Sequence, residues 1–156
     1  MKNEFKLNGQ TATFEAGAND TLYGMLRALG ISSVKCGCET TNCGLCTVHM
    51  DGKAVLSCSV PAMRCNGRNI RTPEGMGDAA KALADCLADE GADQCGFCAP
   101  GMMMNVLMLA KENPNATDEE ADVYLAGNLC RCTGYMSQKR AIRRFLNRVV
   151  SGEVRV

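Results

Sequence analysis

Cys38, Cys43 and Cys46 read C-x4-C-x2-C, and eleven residues separate Cys46 from Cys58. Thiolates at this spacing suit a [2Fe–2S] cluster: a short loop curls round a small inorganic core, and a fourth sulfur closes the site from a following strand. Gly37 and Gly44 are expected to take positive φ and bring backbone N–H groups up to the sulfurs, where such bonds tune a reduction potential. A disulfide scaffold does not suit eleven cysteines, an odd number, and Met1 to Gln10 offers no apolar core of a secretory leader. Structural zinc favours paired C-x2-C knuckles, often with His. The one histidine, His49, lies outside the loop and reads as a satisfied, partly exposed strand residue.

A second set follows: Cys95-Gly96-Phe97-Cys98 and Cys130-Arg131-Cys132. Both pairs fall between helical stretches and can meet at one end of a helical bundle. Four converging thiolates make a metal site, and spacing alone leaves iron–sulfur and zinc both open. Of the remaining cysteines, Cys86 reads as a small core residue of a helix, and Cys65 has no ligand pattern around it.

The elements that must position these cysteines change character midway. Glu4–Leu7 and Thr11–Glu15 alternate apolar and polar about the turn Asn8-Gly9, as a hairpin should. Asp20 or Thr21 can cap a helix reaching Leu29, with Leu22, Met25, Leu26 and Leu29 on its inner face and Gly30 as its stop. Thr47–Met50 and Lys53–Ser57 form a second hairpin across Asp51-Gly52, and Asn69–Thr72 a short strand. Thr72-Pro73-Glu74-Gly75 reads as a boundary. Beyond it the period becomes helical: 78–90 with Ala79, Leu83, Cys86 and Leu87 inward; 102–110, apolar nearly all round and therefore buried; a capping box at Thr117–Glu120 opening a helix to Ala126; and 137–150. That last helix carries an apolar stripe of Ile142, Phe145, Leu146, Val149 and Val150. Its opposite face holds Lys139, Arg140, Arg143, Arg144 and Arg148, either solvated or a dock for an acidic partner.

Seventeen basic and seventeen acidic residues give a formal net charge of zero, which excludes the basic excess expected of nucleic-acid or anionic-membrane binding. No apolar run is long enough to span a bilayer. A reducing, cytoplasmic setting is expected, and there clustered cysteines imply metal. The chain has no G-x-G-x-x-G, P-loop or H-E-x-x-H motif, so neither nucleotide nor substrate binding is expected of it alone.

Val34–Cys58, Gln94–Gly101 and Gly127–Tyr135 together resemble the iron–sulfur subunit of the molybdenum hydroxylases, the xanthine dehydrogenase family, and the likeness spans nearly the whole chain. The resemblance implies an α+β protein: an N-terminal β-grasp ferredoxin-like domain over 1–74 and a C-terminal four-helix bundle over 75–156. It implies two [2Fe–2S] clusters, one on Cys38, Cys43, Cys46 and Cys58, the other on Cys95, Cys98, Cys130 and Cys132. Gln94 and Cys132 would approach the molybdopterin of a large partner subunit, and the first cluster would face an FAD-binding subunit. Cys36 departs from the family pattern and reads as a spectator thiol rather than a substitute for Cys38. The implied function is electron transfer from the molybdopterin centre through both clusters towards FAD or another acceptor. Purines, nicotinate-like heterocycles, aldehydes and carbon monoxide are all substrates within that family, and the reading leans to a purine or related N-heterocycle. A free-standing ferredoxin-like carrier is the alternative; it accounts for the first quartet and leaves the helical cysteines without a role. A zinc-stapled interaction module is a third reading.

Overall fold

The turn Asn8-Gly9 closes the first hairpin, and both residues have positive φ, the twist that suits flanking strands. It joins β1 (Lys2–Leu7) to β2 (Gln10–Glu15) in the register Phe5↔Ala12. The computed structural model describes residues 2–156, so Met1 lies outside it. Asp51-Gly52 makes the same kind of turn between β3 (Thr47–Met50) and β4 (Lys53–Leu56). The short β5 (Asn69–Arg71) runs parallel to β1 and antiparallel to β3. The sheet order is β2-β1-β5-β3-β4.

Helix α1 (Leu22–Ala28) starts at Thr21, whose hydroxyl accepts the Gly24 N–H, and ends at Leu29. Phe5, Leu22, Met25, Leu26, Val48 and Ile70 bury together as the core of this half. Leu29 was expected on the inner face but is exposed; it caps the helix, where the backbone leaves the helical track. Three 3-10 turns, at 57–59, 62–65 and 73–75, have no clear sequence signal.

Four further helices follow: α2 (Gly77–Asp89), α3 (Ala99–Glu112), α4 (Asp118–Leu125) and α5 (Met136–Val150). They enclose a second core of Leu83, Leu87, Val106, Leu107, Phe145 and Leu146, among others. The capping box at Thr117 forms, its hydroxyl and the Glu120 carboxylate serving each other's backbone N–H. The architecture is a mixed α+β protein with a five-stranded sheet and five helices, a ferredoxin-like part followed by a helical part. Cys86 is a fully buried core residue. Val150, expected on the apolar stripe, is exposed.

The two parts are pressed together rather than loosely joined. Asn8 accepts the Thr72 N–H at 2.9 Å and donates to its hydroxyl at 2.9 Å, so the stretch read as a boundary is clasped to the first hairpin. Helix α3 packs against β3. A Cβ on Gly101 would collide with the Gly44 carbonyl and lie 2.8 Å from the Leu45 backbone. His49, expected to be partly exposed, is buried at this contact, and its Nε2–H donates to the Met104 carbonyl at 2.7 Å.

Two outcomes follow from this packing. Gly101→Ala forces backbone apart, and overpacking of this kind costs about 1–3 kcal/mol; thermal unfolding should show a drop of roughly 2–4 °C per kcal/mol for a chain this size. His49 is held neutral in the folded state, its pKa lowered chiefly by burial, with Lys111 and Arg71 adding to the effect. The folded form therefore binds fewer protons than the unfolded one. Its stability is intact above the unfolded value of about 6.5 and falls below it, by up to about 1.4 kcal/mol per pH unit. Denaturant unfolding of wild type and His49→Gln between about pH 7.5 and pH 5.5 should show the wild type losing ground as pH falls.

Candidate metal centres

The first quartet sits on the loop between α1 and β3 and on the 3-10 turn that follows β4. Gly44 has φ 74°, and a Cβ there would strike the Gly127 carbonyl and stand 2.7 Å from Asn128 Nδ2. Gly37, also expected at positive φ, is not among the positive-φ residues. Its glycine serves space instead, since a Cβ would come within 2.9 Å of Leu45 Cδ2 and 3.7 Å of Cys43 Sγ. Thr41 takes the left-handed conformation of this loop, with φ 58°.

Cys46 Sγ and Cys58 Sγ are 3.3 Å apart, and the Cys38 and Cys43 thiols share a hydrogen bond. The sulfurs are thus grouped two and two, the arrangement that four ligands on two irons require. Backbone N–H groups of Asn42 and Thr40 point at Cys38 Sγ and lower its pKa to about 6. Burial raises Cys43, although the N–H groups of Leu45 and Gly37 face it. Burial, then the neighbouring Cys46, pushes Cys58 up to about 12. Cys36 sits in the same loop with its thiol donating to the Cys38 carbonyl at 2.8 Å.

The second quartet comes from the α2–α3 and α4–α5 connections. Cys95 Sγ and Cys132 Sγ lie 3.5 Å apart, and the Cys98 and Cys130 thiols interact directly. One small cavity is bordered by all four thiols, with Gln94 and Gln138 on its wall. The Phe97 N–H lowers Cys95. Burial pushes Cys98 up to about 11. Burial works against Cys130 too, but the Thr133 hydroxyl and nearby N–H groups outweigh it and bring its pKa down to about 7. Gln94 and Cys132 are both exposed. Phe97 and Leu129 beside this quartet, and Met136 further along, are exposed, and Lys35 lies 5.0 Å above the Phe97 ring.

The second quartet faces the cysteine loop at Cys43. A cleft of about 410 Å³ is bordered by Gly37, Cys43 and Leu45 on one side and by Cys95, Cys98, Cys130 and Cys132 on the other. The Leu129 N–H donates to the Cys43 carbonyl at 3.0 Å. Asn105 bridges Thr47 and Asn128 behind this contact. Tyr135 was missed as a site residue. It holds φ 71°, costly for a non-glycine residue, and its hydroxyl accepts the Cys130 N–H at 2.8 Å. Its place in the stretch Cys130–Tyr135 was the only available signal. The basic face of α5 is not a free patch: Lys139, Arg140, Arg143, Arg144 and Arg148 pair with Asp122, Glu90, Asp118, Asp89 and Glu153.

Residues 5–75 match the family described as 2Fe-2S iron-sulfur cluster binding domain, and residues 72–143 that described as [2Fe-2S] binding domain. The chain is 41% identical over 140 residues to the nicotinate dehydrogenase small FeS subunit of Eubacterium barkeri, covering 88% of this chain and 89% of that one. It is 44% identical over 137 residues to the xanthine dehydrogenase iron-sulfur-binding subunit of Escherichia coli O157:H7, covering 85% and 86%. A chain of the crystal structure of quinoline 2-oxidoreductase from Pseudomonas putida 86 superimposes with a TM-score of 0.90 at 35% identity, covering 99% of this chain and 98% of that chain. Fold and sites together define an iron–sulfur protein with two [2Fe–2S] binding domains. The chain belongs to the small iron–sulfur subunits of the xanthine and nicotinate dehydrogenase family, which are components of oxidoreductases.

In cluster-free protein the thiols should separate by reactivity. Cys38, with a pKa of about 6, is the thiolate near pH 7, whereas burial holds Cys65 at about 11. Brief alkylation followed by peptide mass spectrometry should label Cys38 early and leave Cys65 untouched, because the thiolate is the nucleophile.

Proposed function

We propose that this chain is the electron-transfer subunit of a heteromeric molybdenum hydroxylase of the xanthine dehydrogenase type. A molybdopterin-binding large subunit would carry the substrate chemistry, and an FAD-binding subunit would receive the electrons. The observation that carries this reading is that the second quartet and Cys43 of the first border one cleft. Each [2Fe–2S] cluster, when bound, takes up and releases one electron.

Residues 1–74 act as a β-grasp domain holding one cluster on Cys38, Cys43, Cys46 and Cys58. Residues 75–156 act as a four-helix bundle holding the other on Cys95, Cys98, Cys130 and Cys132. Separate hydrophobic cores in the two parts support this division. The chain's own contribution is placement. The Cys43 carbonyl and the Leu129 N–H, one peptide from Cys130, join the two ligand sets through a single hydrogen bond. Exposure of Gln94 and Cys132, among Phe97, Leu129 and Met136, supports docking of the molybdopterin subunit at that end. Nicotinate, quinoline and xanthine in the names of the relatives favour an N-heterocyclic substrate on the partner. Among the described residues no helix is long and apolar enough to cross a membrane.

The test is spectroscopic. Reduced protein should give two distinct EPR signals and about four irons per chain. Cys43→Ser should abolish one signal, Cys98→Ser the other, and Cys36→Ser neither. One signal with about two irons, or loss of the same signal in both ligand variants, would sink the assignment.

A further inference from the structure

Beside the second quartet stands a buried polar side chain with no task in the reading above. Gln138 lies in the first turn of α5 and is 3% exposed. Both ends of its amide are used. Nε2 donates to Cys98 Sγ at 3.6 Å, and Oε1 accepts from the Thr133 hydroxyl at 3.1 Å. The Thr133 oxygen is also 3.3 Å from Cys130 Sγ and accepts the Tyr135 N–H at 3.1 Å. Thr133 has one hydroxyl proton, so at any moment it serves either Gln138 Oε1 or Cys130 Sγ.

Packing alone does not explain an amide here. An apolar side chain of similar volume would fill the space without desolvating two polar ends. A ligand thiolate changes the balance, because hydrogen bonds to a charged acceptor are roughly twice as strong as neutral ones. A thiolate also fixes the orientation: it attracts the NH2 end of Gln138 and repels the carbonyl end. The two quartets differ in this respect. Among the described residues, N–H donors to the first quartet's sulfurs come from the backbone of Thr40, Asn42, Cys43, Leu45 and Gly37. Only the second quartet is met by side-chain amide and hydroxyl donors.

Hydrogen bonds to ligand sulfurs draw off negative charge and so stabilise the reduced, more negative state of a centre. We propose that Gln138, backed by Thr133, is a positioning residue that raises the reduction potential of the helical-part cluster above the value its backbone donors alone would give. This rests on Cys95, Cys98, Cys130 and Cys132 being that cluster's ligands.

An EPR-monitored redox titration of the assembled complex tests it. Gln138→Met keeps chain length and removes both amide groups. The signal lost in Cys98→Ser should titrate at a more negative potential, equivalent to about a tenfold change in its reduction equilibrium, about 59 mV for one electron. The signal lost in Cys43→Ser should titrate unchanged. Thr133→Val should shift the same signal in the same direction, and Thr133→Ser, which keeps the hydroxyl, should restore it. Unchanged midpoints in Gln138→Met with both signals present overturn the proposal. Should Gln138→Met not assemble, a Gln94→Ala complex with heavy-nitrogen label in its glutamine side chains carries the test. Pulsed EPR should find a labelled nitrogen coupled to the helical-part signal only, and absence of that coupling overturns the proposal. A wild-type complex with one signal and about two irons overturns the ligand assignment itself, a failure distinct from an unshifted midpoint.

Discussion

Everything in this molecule turns on how closely α3 approaches the cysteine loop. At Gly101 and Gly44 there is no side chain between two backbones, and neither position has room for a Cβ. That contact satisfies buried Thr47 and His49 of β3 and buried Asn128 of the α4–α5 connection, with half-buried Asn105 of α3 bonded to Asn128. A satisfied polar network of this kind fixes one register, because every slipped alternative strands a donor or acceptor in low dielectric. The loop and the helical connections are thereby set facing each other across their common cleft.

Charge is distributed to match. Thiolates gathered in two places need compensation, and the backbone supplies it at the sulfurs, through N–H groups from the loop and from the α2–α3 and α4–α5 turns. The cations of α5 are spent elsewhere, on carboxylates of α2, α4 and the C-terminal tail. Such exposed pairs add little stability singly, but they leave the face of α5 electrically quiet. The exposed apolar side chains at Phe97, Leu129 and Met136 are left as the more distinctive surface.

Local rules made much of this legible. The two hairpins, a helix cap at Asp20 or Thr21, the Thr117 capping box and the largely apolar α3 each followed from short stretches whose preferences agree with the final fold. The cysteine spacing marked both quartets as candidate ligands before any geometry was known. What escaped was the product of contacts distant in sequence. His49 looked like a partly exposed strand residue because nothing nearby announces that it will bond the Met104 carbonyl. Gly37 looked conformational, but its constraint is the leucine side chain at Leu45. The cationic stripe of α5 gave no hint of its acids, one of which, Glu90, sits fifty residues from its partner Arg140. Gln138 carried no signal in the sequence, and only the fold shows it facing sulfur.

The bond between the Cys43 carbonyl and the Leu129 amide has a consequence for descent. Both atoms are main chain, so apart from proline at 129, which has no N–H to give, no single side-chain replacement deletes the link. Lineages can therefore drift widely in sequence and still inherit the same bridge, as long as small residues persist where the two backbones touch. Selection acting on substrate can then remodel the rest of an enzyme while this junction passes on unaltered.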